Sequence, residues 1–168
     1  ADRGFAVAAD SSGNIYMTGY VGGAIDGQTF VDYADLFLMK YASNGTRIWT
    51  KVVGGVGDDT GFGIAIDDAA SMVYVTGRAS SSLHGQSFSG NSDILTMKYS
   101  FNGTRIWTRM AGNTSQDTGN AVAVDSSAGA VYVTGNCCGD ISGVSSFGQY
   151  DSILIKYTNE GTLICFRI

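Results

Sequence analysis

Apolar and β-branched residues occur along this chain in short runs that are separated by Gly, Asn, Asp and Ser. The first four runs are rich in Val, Ile, Tyr, Phe, Trp and Thr, as strands are, and cover residues 5–9, 15–20, 36–41 and 46–53. Asn44-Gly45 predicts a hairpin with a type I′ turn, whose two central residues need positive φ. Since no segment carries an apolar stripe with a period of about 3.6 residues, the pattern predicts four short strands.

The same pattern recurs twice more along the chain, at a spacing of 58 residues. Tyr16-Met17-Thr18-Gly19 returns as Tyr74-Val75-Thr76-Gly77 and as Tyr132-Val133-Thr134-Gly135. An aspartate before the third run, a lysine within it and a tryptophan in the fourth run also repeat: Asp35, Asp93 and Asp151; Lys40, Lys98 and Lys156; Trp49 and Trp107. The chain, residues 1–168, is therefore predicted to be a single segment of three units with boundaries near 2–58, 59–116 and 117–168.

Some of the predicted strands are apolar on both faces, as in residues 36–39 and 153–155. Such a strand needs a covering layer on each side. A four-stranded unit that is stacked between copies of itself has both layers, and this is the arrangement of blades in a β-propeller. The sequence therefore predicts an all-β protein, a β-propeller segment made of three four-stranded antiparallel blades.

Three motifs of the repeat resemble a known family. Residues 10–19 read Asp-Ser-Ser-Gly-Asn-Ile-Tyr-Met-Thr-Gly, residues 35–41 follow Asp-x-x-Leu-x-Lys-Tyr, and residues 44–49 follow Asn-Gly-Thr-x-Ile-Trp. This pattern resembles the SBBP repeat, named after the seven-bladed β-propeller, over essentially the whole chain. The resemblance implies a propeller fold and a scaffold, and it implies little about activity. The third copy departs from the pattern, with Glu160 in place of the turn Asn and Cys165 in place of the Trp.

Three blades are fewer than the roughly four to eight blades of closed propellers. An open arc exposes a sheet face at each end, with more apolar surface than the few hundred Å² that a soluble monomer usually shows. We therefore expect the chain to bind a second copy head to tail, as a homodimer that closes a six-bladed ring. The alternative is that the chain is a fragment of a longer propeller.

Composition narrows the possible partners. The chain has 24 Gly and no Pro among its 168 residues, and 15% of its residues are charged. Its net charge of −5 argues against a nucleic acid partner, because that affinity comes mainly from neutralising phosphates with Lys and Arg. No stretch approaches about 18 apolar residues, so no membrane span is predicted. No apolar signal segment is recognised at the start, and the compartment is left unassigned.

Candidate ligand-binding positions lie in the loops between the second and third strands, residues 21–34, 79–92 and 137–150. These loops vary most between copies and share one end of the blades with the links between units, and variable loops on a rigid frame commonly carry binding sites. The residues singled out in and beside the loops are Phe30, Asp35, His84, Phe88, Asp93, Phe147 and Asp151.

Each of these candidates has a structural interpretation that we favour. The phenylalanines are interpreted as plugs on their own blades rather than as an aromatic binding ring. The aspartates are interpreted as acceptors for turn backbone groups, or as partners of the repeated lysines, such as Asp10 with Lys40, rather than as a cation-binding ring.

Catalytic residues, metal sites and cofactors are not predicted. His84 is the only histidine and Glu160 the only glutamate, and no phosphate-binding glycine loop is present. Cys137 and Cys138 are interpreted as free thiols, because adjacent cysteines can form only a strained disulfide. The sequence therefore predicts a non-enzymatic scaffold that associates with itself. The alternative is a propeller that binds a glycan or another small ligand through its long loops.

Overall fold

A computed structural model of the chain describes residues 1–141, 145 and 150–167, apart from the side chains of 165–167. The described residues form three four-stranded antiparallel sheets, and none of them is helical. Sheet 1 contains β1 Arg3–Ala9, β2 Ile15–Val21, β3 Asp35–Tyr41 and β4 Arg47–Val53. Sheet 2 contains β5 Thr60–Asp67, β6 Met72–Ala79, β7 Asp93–Ser100 and β8 Arg105–Ala111. Sheet 3 contains β9 Thr118–Asp125, β10 Ala130–Cys137, β11 Asp151–Thr158 and β12 Leu163–Arg167.

Strands that follow one another along the chain are neighbours in each sheet, so every sheet is a meander. The strands of sheet 1 begin and end within two residues of the predicted runs. The prediction of an all-β chain built from tandem four-stranded units is therefore confirmed. No helix long and apolar enough to cross a membrane occurs in the part of the chain that the structure describes.

The hairpin between β3 and β4 is present, but its predicted type I′ turn is wrong. Gly45 has a φ of 83°, whereas Asn44 is not among the residues with positive φ. The N–H of Gly45 donates to the carbonyl of Ala42 at 2.9 Å, and the N–H of Ala42 donates to the carbonyl of Thr46 at 2.8 Å. This is a three-residue loop in which a type I turn is followed by a left-handed glycine. It is favoured because Asn44 Oδ1 accepts the N–H of Thr46 at 3.0 Å.

The hydrophobic core lies between the sheets. Between sheets 1 and 2 the buried side chains include Tyr16, Leu36, Leu38, Val73, Val75, Leu95, Met97 and Tyr99. Between sheets 2 and 3 they include Tyr74, Ile94, Trp107, Val131, Val133, Ile153, Ile155 and Tyr157. Sheet 2 is therefore covered on both faces, and every residue of β7 except Ser100 is buried. This two-sided burial is why its third run is apolar without alternation.

The first strands of the sheets lie side by side, since β5 packs against both β1 and β9. The long loops and the links between sheets meet at one end of the molecule. Two short parallel bridges mark this meeting, Ala34 with Asp58 and Ser92 with Gln116. The tight turns lie at the opposite end, as the antiparallel order requires.

Candidate functional site

The two contacts between sheets, here called seams, repeat the same hydrogen bonds. At the first seam, Lys40 Nζ and Trp49 Nε1 of sheet 1 both donate to the carbonyl of Phe101 of sheet 2, at 3.2 and 3.1 Å. At the second seam the same bonds recur one repeat later, with both donor-to-acceptor distances at 2.9 Å, from Lys98 and Trp107 to Asn159. Repeated lysine and tryptophan positions therefore join neighbouring sheets.

The seam lysines are held by aromatic rings as well as by carbonyls. Lys40 Nζ lies 5.0 Å from the ring centroid of Tyr16 and 5.1 Å from that of Phe101, within the range of cation–π attraction. Burial lowers the pKa of Lys98, which occupies the same place at the second seam. The interpretation that Lys40 pairs with Asp10 is wrong, because its ammonium group reaches across the seam to a backbone carbonyl instead.

Replacing Lys98 by Met tests the seam bond. We expect the free energy of unfolding to fall by about 1–3 kcal/mol, because the carbonyl of the half-buried Asn159 loses a charged donor. Urea denaturation measures this loss. Lys51→Met on the half-buried Lys51 of β4 is the control, and a loss as large as that of Lys98→Met would contradict the assignment.

A glycine on the first strand lets each pair of sheets approach closely. Thr18 Oγ1 donates to the carbonyl of Phe37 at 2.7 Å and lies against Gly61 of sheet 2, where an added Cβ would overlap it. Thr76 and Gly119 repeat this contact at the second seam. Close approach therefore requires a residue without a Cβ at this position.

A buried aspartate fastens each link between sheets. Asp59 Oδ2 accepts the N–H of Gly55 in the link at 2.7 Å, and its Oδ1 accepts the N–H of Ser80 after β6 at 3.0 Å. Asp117 repeats both bonds, accepting from Asn113 at 2.7 Å and from Cys138 at 3.2 Å. These aspartates satisfy backbone N–H groups, in line with the structural interpretation of the repeated acids.

The predicted aspartates of the long-loop end lie beside these links. One carboxylate oxygen of Asp35 accepts the N–H of Val31 at 2.8 Å, and one of Asp93 accepts the N–H of Ser89 at 3.1 Å. The other oxygen of each side chain is buried without a hydrogen-bond partner. Asp151 begins β11 at the equivalent position.

Each seam therefore buries two carboxyl groups near one another. A Cβ on Gly112 would overlap Asp93 Oδ1 and would lie 3.0 Å from Asp117 Oδ2, so both oxygens face the same backbone. Burial, with the charge of Asp117, raises the pKa of Asp93 to about 6. Burial, with the charges of Asp35 and Asp58, raises the pKa of Asp59 to about 6. Sequence reasoning placed the acids at one end but did not anticipate that they pair across the seam.

The remaining loop candidates within the described residues lie on different sheets or edges and form no common site. Phe30 packs with Phe37, Val21 and Met39 on its own sheet, as a plug does, and Phe88 is half-buried. His84 lies at the outer edge of sheet 2, with Nδ1 3.0 Å from Thr108 Oγ1. Phe147 lies outside the described residues. Among the residues that the structure describes, no three His, Cys, Asp or Glu side chains form a metal-binding group.

The adjacent cysteines Cys137 and Cys138 are free thiols, as predicted. Cys137 is buried in the core between sheets 2 and 3, and burial raises the pKa of its thiol to about 11. A thiol with so high a pKa is a poor nucleophile at neutral pH. Cys138 is half-buried and its N–H donates to Asp117.

Two sheet faces carry no further sheet. Face 1 is the side of sheet 1 away from sheet 2, and it presents Val7 and Ile15, which are 69% and 36% exposed. Val73, the repeat equivalent of Ile15, is fully buried at the first seam. The equivalent face of sheet 2 is the one that packs against sheet 1 at the first seam.

Face 3 is the side of sheet 3 away from sheet 2, and it presents Thr134, Ser152 and Leu154, all exposed. Leu154 is 43% exposed, whereas Leu38 and Thr96 at the same repeat position are fully buried at the seams. Lys156 Nζ lies 5.4 Å from the ring centroid of Tyr132, as the seam lysines lie over their own tyrosines. Faces 1 and 3 therefore match the two sides of a seam.

Comparison with known proteins finds a distant relative and no matching family. No model of a protein family matches the chain. The chain is similar to the regulatory protein FlaEY of Caulobacter vibrioides, with 26% identity in an alignment that covers 90% of the chain. The match spans only 17% of the length of that relative. The regulatory role named for FlaEY describes that whole protein.

Proposed function

We propose that the three sheets are blades of a β-propeller and that the chain is a non-enzymatic scaffold whose partner is a second copy of itself. The stacked four-stranded meanders, with β1, β5 and β9 side by side, support this proposal. The motifs that resemble the SBBP repeat support it as well. Two copies supply six blades, within the roughly four to eight of known propellers.

The match between faces 1 and 3 carries the proposal. Face 3 presents the residues that sheets 1 and 2 bury against the next sheet, and face 1 presents the residues that receive them. A contact between face 3 of one copy and face 1 of another is heterologous, and two such contacts close a ring. This contact removes exposed apolar side chains on both faces, such as Leu154 and Val7, from water.

The seam contacts have counterparts at the proposed junction. Thr134 of one copy takes the place of Thr18 and Thr76, and Gly4 of the other takes the place of Gly61. A Cβ on Gly4 meets only Met17 Cε of its own sheet, at 3.3 Å, so the position is open to a partner's hydroxyl. The carbonyl of Ser43 stands one repeat before Phe101 and is the acceptor for Lys156.

Solution mass tests the proposal. Light scattering after gel filtration is expected to give about 35 kDa, twice the 17.6 kDa of the chain. Leu154→Asp places a charge in the junction and is expected to give the single-chain mass. Val7→Asp on the opposite face is expected to do the same. Ile48→Asp, at an apolar residue that is 50% exposed on β4 outside the junction, is the matched control and keeps the double mass.

Mixing the two junction variants tests the head-to-tail geometry. Each variant keeps one intact face, so an equimolar mixture can form one intact junction and is expected to recover the double mass. If the mixture still shows only the single-chain mass, the heterologous contact is contradicted. A wild-type chain that remains at 17.6 kDa at high concentration overturns self-association. That result would favour the alternative in which neighbouring repeats of a longer polypeptide cover faces 1 and 3.

A further inference from the structure

The outer edge of sheet 2 carries a cleft of about 490 Å³ that borders the second seam, because Lys98, Trp107 and Asn159 form part of its lining. It lies between the long loop of sheet 2, the strand β8 and the β11–β12 turn of sheet 3. The side chains that matter in it are His84, Gln86, Arg105, Thr108, Arg109 and Glu160.

Sheet 1 has an acid at the equivalent position of its own edge. Asp26 is the repeat equivalent of His84, and both residues have positive φ, 54° and 52°. The Asp26 carboxylate accepts the hydroxyl of Thr50 at 2.5 Å and forms an ion pair with Arg47. The positive charge at the edge of sheet 1 is thereby neutralised within the unit.

Sheet 2 keeps the arginine but replaces the acid. Arg105 and Thr108 stand where Arg47 and Thr50 stand in sheet 1, and His84 replaces Asp26. Arg105 Nη1 donates to Thr108 Oγ1 at 3.0 Å, and His84 Nδ1 lies 3.0 Å from the same oxygen. Within the part of the chain that the structure describes, Arg105 has no carboxylate within ion-pair distance.

A second guanidinium group is fixed beside the first. Arg109 Nε donates to the carbonyl of Gly161 at 2.6 Å, and its Nη1 donates to the carbonyl of Thr108 at 2.7 Å. Its guanidinium lies 5.7 Å from the ring centroid of Trp107. These contacts use carbonyl oxygens, and among the described residues no carboxylate lies within ion-pair distance of Arg109.

We propose that this cleft binds a tetrahedral oxyanion, a phosphate or sulfate group. The guanidinium of Arg105 has N–H groups beyond the one that contacts Thr108, and its planar fork matches the oxygens of such a group. Arg109 adds charge, and His84 adds an imidazole N–H at the rim. The ligand supplies Arg105 with the negative partner that the Asp26 carboxylate gives Arg47 in sheet 1.

Binding is expected to strengthen as the pH falls. Burial lowers the pKa of His84, and the charge of Arg105 lowers it further, so the free cleft holds a neutral imidazole at neutral pH. The charged groups that line the cleft around His84 are Arg105 and Arg109 of β8, Lys98 of β7 and Glu160 of the turn in sheet 3. A bound dianion offsets the repulsion from the cations and favours the imidazolium, so it raises the pKa of His84.

Side-chain NMR tests the site with inorganic sulfate as the probe, against chloride at equal ionic strength. His84 is the only histidine, and Trp49 and Trp107 are the only tryptophans, so each resonance identifies its sheet. Sulfate is expected to shift the His84 ring and Trp107 indole signals saturably and to leave Trp49 unchanged. The affinity is expected to rise several-fold between about pH 7.5 and about pH 5.5. The same titration with phosphate at neutral pH shows which of the two oxyanions, phosphate or sulfate, binds the cleft more tightly.

His84→Asp is the most discriminating variant, because it gives Arg105 the acid partner that Asp26 gives Arg47 in sheet 1. It is expected to weaken sulfate binding at least tenfold, read from Trp107, while the thermal midpoint is kept. Arg105→Gln is expected to weaken binding similarly. Equal shifts of Trp49 and Trp107, no saturation, or unchanged binding by His84→Asp would overturn the proposal. None of these readouts depends on the mass of the assembly, so the site and self-association are tested separately.

Discussion

Gly77→Ala is expected to lower the free energy of unfolding by about 3 kcal/mol or more, because the first two strands of sheet 2 pair too closely to admit a methyl group. An added Cβ at Gly77 would overlap the carbonyl oxygen of Thr60 and would lie 3.0 Å from Cα of Gly61. Both neighbours are backbone atoms of β5, so no side chain can turn away. The strand itself has to move, and the register between β5 and β6 is lost at this point.

Gly23→Ala is the matched control for this change. Gly23 has no neighbour within 4 Å of an added Cβ and does not have positive φ. Its replacement is expected to leave the free energy of unfolding within about 0.5 kcal/mol of the parent chain. Chemical denaturation of both variants measures the difference, and a similar small effect at Gly77 would contradict the close pairing. Gly19 and Gly135 meet the carbonyls of Arg3 and Thr118 in the same way, so the result extends to all three sheets.

The paired carboxyl groups predict that the fold loses stability as the pH rises through the mildly acidic range. Burial raises the pKa of Asp59 and of Asp93 to about 6, whereas an aspartate in the unfolded chain titrates near 3.8. The folded chain therefore binds more protons than the unfolded chain between these values. The resulting stability is fully present below about pH 4 and is lost as the pH rises through about 6. We expect a decrease on the order of 1–3 kcal/mol between about pH 4.5 and about pH 7.5.

Asp93→Asn tests the origin of this pH dependence. The amide keeps an oxygen for the N–H of Ser89 and carries no charge beside Asp117. The variant is expected to be more stable than the parent at about pH 7.5 and to show a shallower decline with pH. Asp2→Asn changes an exposed acid whose charge does not contribute to the raised pKa of Asp59 or Asp93, and it is expected to keep the slope of the parent. A slope that is equally steep in the Asp93 variant sinks the assignment of the titrating group.

Repeat detection accounts for most of what was predictable about the fold. Strand positions follow from local patterns, and three copies in one register make each pattern visible three times. Even the failed prediction of a type I′ turn placed the hairpin correctly, because Gly45 supplies the positive φ that both turn types need. Which of the two turn types forms depends on the hydrogen bond from the N–H of Thr46 to Asn44 Oδ1. The order of residues along the chain does not show that bond.

Site residues were predictable only in part. The repeat marks Lys40 with Lys98, and Trp49 with Trp107, as recurring positions. It does not mark their acceptors, which lie 61 residues beyond each lysine and 52 residues beyond each tryptophan. The exchange of Asp26 for His84 is visible in the aligned repeats. Its consequence, an arginine without its acid partner, needed the geometry of the loop around Thr108.

The sequence by itself determined the all-β class, the tandem units and the turn positions, because these depend on backbone preferences and on contacts within about 20 residues. Only the tertiary structure decided what happens between units: that Lys40 binds a carbonyl rather than Asp10, that Asp93 lies beside Asp117, and that Leu154 is exposed where Leu38 is buried. Those outcomes depend on how one sheet is set against the next. Identical motifs look the same in the chain whether a neighbouring sheet covers them or not.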